Sequence, residues 1–223
     1  MNTTKTGMAL TGFAAVFTLL ALTPASATFL NTDNADTPVL FGMAELTHKN
    51  VDGDILASST VHNRLVNGGE VHLINGVFGA TAVATDDKPT LICISDKLAV
   101  NKVVGEILET SIASDFTPET AFATTGTNTC VAADIETANG GSSAVMNATF
   151  YGSGATGTDE INILEDQMIE SIAICDTSAA GTDRTNCATA GALFSAVPVR
   201  QTEVGASDSV EVTYTFNLTS PTN

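Results

Sequence analysis

The stretch from Ser209 to Leu218, SVEVTYTFNL, alternates without a break. Val210, Val212, Tyr214, Phe216 and Leu218 face one way. Glu211, Thr213, Thr215 and Asn217 face the other. A period of two marks a strand with one face buried against something and the other in water. Thr, Ala, Gly and Val dominate the rest of the chain, and Trp is absent. That mixture of β-branched residues and turn formers suits short strands joined by tight turns.

Outward from that strand, the same reading predicts partners. AVMNATFYG (144–152), QMIESIAICD (167–176) and AGALFSAVPV (190–199) read as strands, with Pro198 marking an edge or a strand end. GSGATGTDE (152–160) is a turn-rich connection. TLICIS (90–95) is a compact strand holding Cys93. Nearer the start, PVLFGMAELTH (38–48) and GDILASSTVHNRLV (53–66) form a hairpin about Asp52-Gly53, where glycine tolerates the positive φ of a primed turn. In the second arm Ile55, Ala57, Ser59 and Val61 are expected on one face. Leu56, Ser58, Thr60 and His62 take the other.

Two stretches break the period. In NGGEVHLINGVFG (67–79), Val71, Ile74, Val77 and Phe78 recur at helical spacing, and Asn67 is placed to cap the start. The expectation is a short helix packed on a sheet by that stripe. VVGEILETSIASDF (103–116) reads as a short helix or an irregular strand. ATTGTNTCVAADIETANGGSS (123–143) reads as a loop around one cystine anchor. The inventory is seven or eight strands with one or two short helices. It predicts a mainly-β protein, a β-sandwich or jelly-roll-like body, with residues 39–223 as a single domain.

The first 27 residues carry one charge, Lys5, then an apolar run from Met8 to Leu22, then Pro24-Ala25-Ser26-Ala27. This is the three-part layout of a secretory signal, cut before Thr28. A membrane span needs roughly 20 predominantly apolar residues, and this run is shorter and rich in Thr, Gly and Ala. Residues 28–38, TFLNTDNADTP, follow as an extended leader. The expectation is a secreted protein, extracellular or on the cell surface, without membrane attachment after cleavage.

The whole chain has 8 basic and 25 acidic residues, a net charge of −17. Losing Lys5 with residues 1–27, which hold no acid, leaves 7 basic residues and a net charge of −18. That excess repels phosphate backbones and anionic lipid surfaces, which argues against nucleic-acid and membrane partners. Solubility outside the cell is its simplest role.

Cys93, Cys130, Cys175 and Cys187 make an even set in an exported chain, which favours disulfides over metal or redox chemistry. Three pairings are open. A short loop, DTSAAGTDRTN, separates Cys175 from Cys187 and makes that pair the first choice, with Cys93–Cys130 following. No Cys-x-x-Cys is present, and the expectation is no catalytic, cofactor or metal residue. His48, His62 and His72 form no metal-binding pattern. GGSSAV and YGSGATG are glycine-rich loops without the strand-to-helix setting of a phosphate loop. Asp33, Asp36, Asp52, Asp54, Asp86, Asp87, Asp176 and Asp183 lie in turns that can hold a structural calcium. NVDGDI matches part of a calcium loop without its distal Glu. Asn147 and Asn217 stand in glycosylation sequons that remain after the signal is lost.

TVHNRLVNGGEVHLINGVFG (60–79), IESIAICD (169–176) and ALFSAVPVRQTEVGASDSVEVTYTFNL (192–218) together resemble a loose group of phage-tail and cell-appendage structural proteins. The likeness is a hydrophobic pattern in two blocks, without a catalytic motif. The signal and the cysteines depart from tail proteins assembled in the cytoplasm. The leader with the run after it is also similar to exported β-sandwich filament subunits that donate a strand to a neighbour. These resemblances imply a structural subunit of a filament, pilus-like fibre or surface layer, with copies of itself as partner. A virion or tail-like protein and a secreted calcium-dependent binding module or hydrolase are the alternatives.

Overall fold

A computed structural model describes residues 39–78, 88–96, 107–118, 128–138, 142–154, 162–163, 167–176 and 184–219. The signal, the leader, and Asp33, Asp36, Asp86, Asp87 and Asp183 lie outside the described residues. The strands are β1 (Val39–Lys49), β2 (Ile55–His62), β3 (Arg64–Leu65), β4 (Pro89–Ser95), β5 (Cys130–Ala132), β6 (Asp134–Ala138), β7 (Ser143–Tyr151), β8 (Gln167–Asp176), β9 (Leu193–Val204) and β10 (Ser209–Thr219). They form two five-stranded sheets, β2-β1-β10-β7-β6 and β3-β9-β8-β4-β5. Every ladder between strands is antiparallel.

Two extended runs belong to both sheets. β2 and β3 are separated only by Asn63, and β5 and β6 only by Ala133. Each run leaves one sheet and joins the other, making a corner of the sandwich. The stretch read as a loop around Cys130 is therefore β5 and β6. Its local pattern is weak because each half serves a different sheet.

Between the sheets lies the main core. Ala44, Leu46, Phe150, Val210, Val212 and Tyr214 meet Ile92, Ile94, Ile172, Ile174 and Val197 there. The outer face of the β1-containing sheet is polar, with Glu45, Asn147 and Glu211 exposed and Thr149 and Thr213 half-buried. The second sheet is buried on both faces over β4, the later part of β8 and the first part of β9. Leu91, Cys93, Ala173, Cys175, Leu193 and Ala196 point away from the main core, into a smaller one under Val66, Ile107, Phe116 and Ala190. The cover is the start of helix α1 (Asn67–Phe78), a 3-10 turn at Ala113–Phe116 and the four-residue helix α2 (Cys187–Ala190).

Two disulfides lie beneath this cover: Cys175–Cys187 ties α2 to β8, and Cys93–Cys130 joins β4 to the edge strand β5. Cys93 and Cys130 are directly opposed on β4 and β5. The sulfurs of Cys93, Cys175 and Cys187 lie within 4.8 Å of one another, so the cystines sit side by side. Asn186 caps α2, accepting from Thr189 N at 3.1 Å.

Two local expectations need correction. The hairpin loop is Val51-Asp52-Gly53, closed by Asn50 N–H to Asp54 O, with Gly53 at φ 85°. It is a three-residue loop with glycine in the left-handed position, not a two-residue primed turn. The Asn50 carboxamide decides it, accepting from Asp52 N and Asp54 N. The register then shifts at Leu56. Ala57, Ser59 and Val61 pair with the inward-facing His48, Leu46 and Ala44, while Ile55 pairs with Lys49 on the other face.

Helix α1 forms, but the first half of its expected apolar stripe does not pack on a sheet. Val71 and Ile74 are exposed, and Gly69 is buried instead. A Cβ on Gly68 would stand 2.7 Å from the Leu193 carbonyl oxygen, and one on Gly69 would collide with that of Phe194. The helix approaches β9 through bare backbone, which a glycine pair permits. His72 adds an edge-to-face contact with Phe194. Asn67 is the first helical residue, not the cap, and its N–H donates to Glu109 O at 2.8 Å. Pro198 marks an edge, one of the two outcomes expected of it, and not a strand end, since β9 runs on to Val204. Beyond Ala196 only β8 forms a ladder with β9 among the described residues, so a residue lacking an N–H is tolerated.

Candidate functional site: an apolar cleft and an open corner

At the end of the sandwich where β1 begins, the sheets part. The cleft there holds about 400 Å³ and is almost wholly apolar. Met146 and Phe216 point inward from β7 and β10, Phe194 comes from the start of β9, and Leu40 from β1. Ile135 and Leu73 reach it from β6 and α1. Leu73, Ile135 and Leu218, all at the cleft, are 38, 44 and 54% exposed. Other large apolar residues are exposed elsewhere, Val51, Ile55, Val71 and Ile112 among them, but these three surround one opening.

The strict alternation of β10 explains the position. Val210, Val212 and Tyr214 are buried between the sheets, Phe216 on the same face is half-buried against Phe194 of β9, and Leu218 beyond it is exposed. Leu40 is the second residue of β1, directly opposite Leu218. β1 therefore begins at the mouth of the cleft.

At the other end, on the β2–β9 side, a polar slit of about 400 Å³ lies between Leu56–Ser59 and Arg200–Glu203. His48 lines it, buried, with Nε2 2.8 Å from Asp208 Oδ2. Asp208 also accepts from Gly205 N at 3.0 Å, which fixes the β9–β10 turn. Beside it Lys49 Nζ meets Glu211 Oε2 at 2.6 Å. His48 thus ties the first hairpin to the last turn. His62 is exposed, and the three histidines are not brought together.

Tyr214 Oη lies 2.9 Å from Ser195 Oγ, which accepts from Asn63 Nδ2 at 2.7 Å. This chain joins β10 to β9 and to the β2–β3 corner. Complete burial raises the Tyr214 phenol well above its usual range, so it stays neutral. Sequence reading placed Tyr214 on the buried face; nothing local announced its two polar partners.

Of the turn carboxylates, Asp52 and Asp54 sit in the exposed loop, where Asp54 Oδ2 takes the Asn50 amide at 3.3 Å. Asp176 accepts from Ala192 N at the α2–β9 junction. Among the described residues, the grouping of three or more His, Cys, Asp or Glu ligand atoms is that of the cystine sulfurs. Asn147 and Asn217 both lie exposed on the polar outer face of the β1-containing sheet. Asn147 Oδ1 accepts from Thr213 Oγ1 at 2.9 Å. Among the described residues, no helix is long and apolar enough to cross a membrane.

No family model, curated protein or solved structure matches this chain. The cleft, the corners and the cystine-bound cover are what bear on function.

Proposed function

We propose that this chain is an exported structural subunit that assembles with copies of itself into a filament or surface layer. The apolar cleft beside the start of β1 is the observation that carries the reading. In this scheme residues 28–38 of one copy lie extended along the next and place Phe29 or Leu30 in its cleft. The gain is burial of the side chains left exposed around the opening, at about 25 cal/mol per Å² of apolar area.

Reach supports a neighbour as the acceptor. Eleven extended residues span at most about 36–40 Å. A 12-residue strand such as β9 is about 40 Å long at roughly 3.3 Å per residue. Phe29, ten residues before Val39, reaches at most about 33–36 Å, so a copy stacked with some overlap puts its cleft within range. Thr37 precedes Pro38, which disfavours the helical conformation needed for an early reversal. A head-to-tail contact that does not close by rotation produces an open fibre. The paired cystines fit an oxidising compartment, consistent with export.

The test is electron microscopy of the mature chain beginning at Thr28. Unbranched filaments are expected, and Phe29→Asp with Leu30→Asp is expected to abolish them while leaving the sandwich folded. Dispersed monomers at high concentration would contradict the proposal.

A further inference from the structure

The four edges of the sandwich are not equally guarded. β3 has two residues and β5 three, too short to recruit a strand. β6 carries Asp134 and Glu136, and the open part of β9 carries Pro198, Arg200 and Glu203. These are ordinary protections against edge-to-edge pairing. β2 lacks them. Ile55–His62 reads ILASSTVH, with no Asp, Glu, Lys, Arg or Pro, in a chain of net charge −17. Among the described residues β1 is its only ladder partner, and all of it except Ser59 and Val61 is exposed. The irregularity at Leu56 twists the first turn of the strand away and leaves Ala57–His62 regular.

From this we infer that β2 is a self-pairing edge: two copies join antiparallel, β2 to β2, about a two-fold axis, and the β1-containing sheet continues across both. The occupant is a second copy because copies of so acidic a chain repel one another over most surfaces, and this strand is the uncharged one. A two-fold contact between strands satisfies the open backbone groups of both at once. The inference rests on the proposed assembly for its biological use, as a lateral contact between filaments. Physically it does not require the leader.

Hydrogen exchange and electron microscopy of the mature chain test it, with Ser58→Lys and Thr60→Lys as the variant. Both residues are exposed on the outer face, and Thr60 lies opposite Glu45, so a lysine there gains a partner within its own copy. Across a two-fold seam, position 58 meets 60 or position 60 meets itself, and lysine opposes lysine in either register. The variant also lowers the net negative charge, so weakened pairing cannot come from greater overall repulsion.

We expect amides of Ala57–His62 to gain protection as concentration rises, filaments to lie in pairs, and the variant to pair about tenfold more weakly while still forming single filaments. Protection independent of concentration, paired filaments in the variant, or simultaneous protection of β9 from Val197 to Glu203 would overturn the inference. The last result would mean a strand inserted into the slit. Single unpaired filaments of the unmodified chain would sink lateral pairing and leave the proposed function standing. Two-fold dimers without filaments would do the reverse.

Discussion

The two sheets of this sandwich solve opposite problems. The β1-containing sheet hides one face and wets the other, so its strands alternate. Much of the β8-containing sheet is buried on both faces, and alternation vanishes in ICIS of β4 and SIAIC of β8, where every residue is buried. One sheet needs only a partner, while the other also needs a cover. Here the cover is built from short and irregular segments, tied to the sheet by the Cys175–Cys187 cystine. Such pieces bury little apolar surface on their own, and cross-linking offsets the entropy of ordering them.

Charge is the harshest way to probe that difference. Ala173→Lys, on the covered face, leaves an unpaired ion beneath the cystines and is expected to cost at least about 4 kcal/mol. Chemical denaturation should find little folded protein, since a domain's whole stability is about 5–15 kcal/mol. Removing Cys175–Cys187, which ties the cover to β8, as a double alanine variant is expected to cost about 2–5 kcal/mol, and protease should then cut first in the cover. Gly69→Ala drives a methyl group into the Phe194 carbonyl and should cost about 1–3 kcal/mol by the same denaturation assay. Thr149→Lys, on the wet face of the other sheet, should stay within about 0.5 kcal/mol.

Alkaline pH sharpens the picture from inside the main core. Burial raises the folded-state pKa of Tyr214, while the unfolded chain ionises near the ordinary value of about 10. Stability is therefore unaffected below pH 10 and falls above it, as unfolded chains release a proton that folded ones keep. Tyr214→Phe should remove that part of the alkaline loss in urea titrations at pH 9–11, while lowering stability at pH 7 by about 1 kcal/mol through the lost Ser195 contact.

What could be read beforehand follows the same division. β10, β7 and β1 were legible because side-chain period and environment agree in them, whereas in β2 the irregularity at Leu56 puts Ile55 on the unexpected face. β8 was legible as an apolar run with a cysteine. The β5–β6 run was not, because Ala133 separates halves that answer to different sheets. Helix α1 was legible in type but not in orientation. Apolar periodicity pointed to Val71 and Ile74, yet the contact with β9 is made by Gly68 and Gly69, which no hydrophobic pattern reveals. The cleft was half legible: the face of β10 was plain, but where the opposing sheet stops is a property of the fold.

The leader's destination decides the account. A photo-crosslinking amino acid at position 29 of the mature chain, in assemblies mixed from light and heavy isotope copies, reports it directly. The account predicts light-to-heavy cross-links from position 29 to the cleft, within Ile135–Met146 or Phe216–Leu218. Cross-links confined to one copy, or falling outside the cleft, would contradict it.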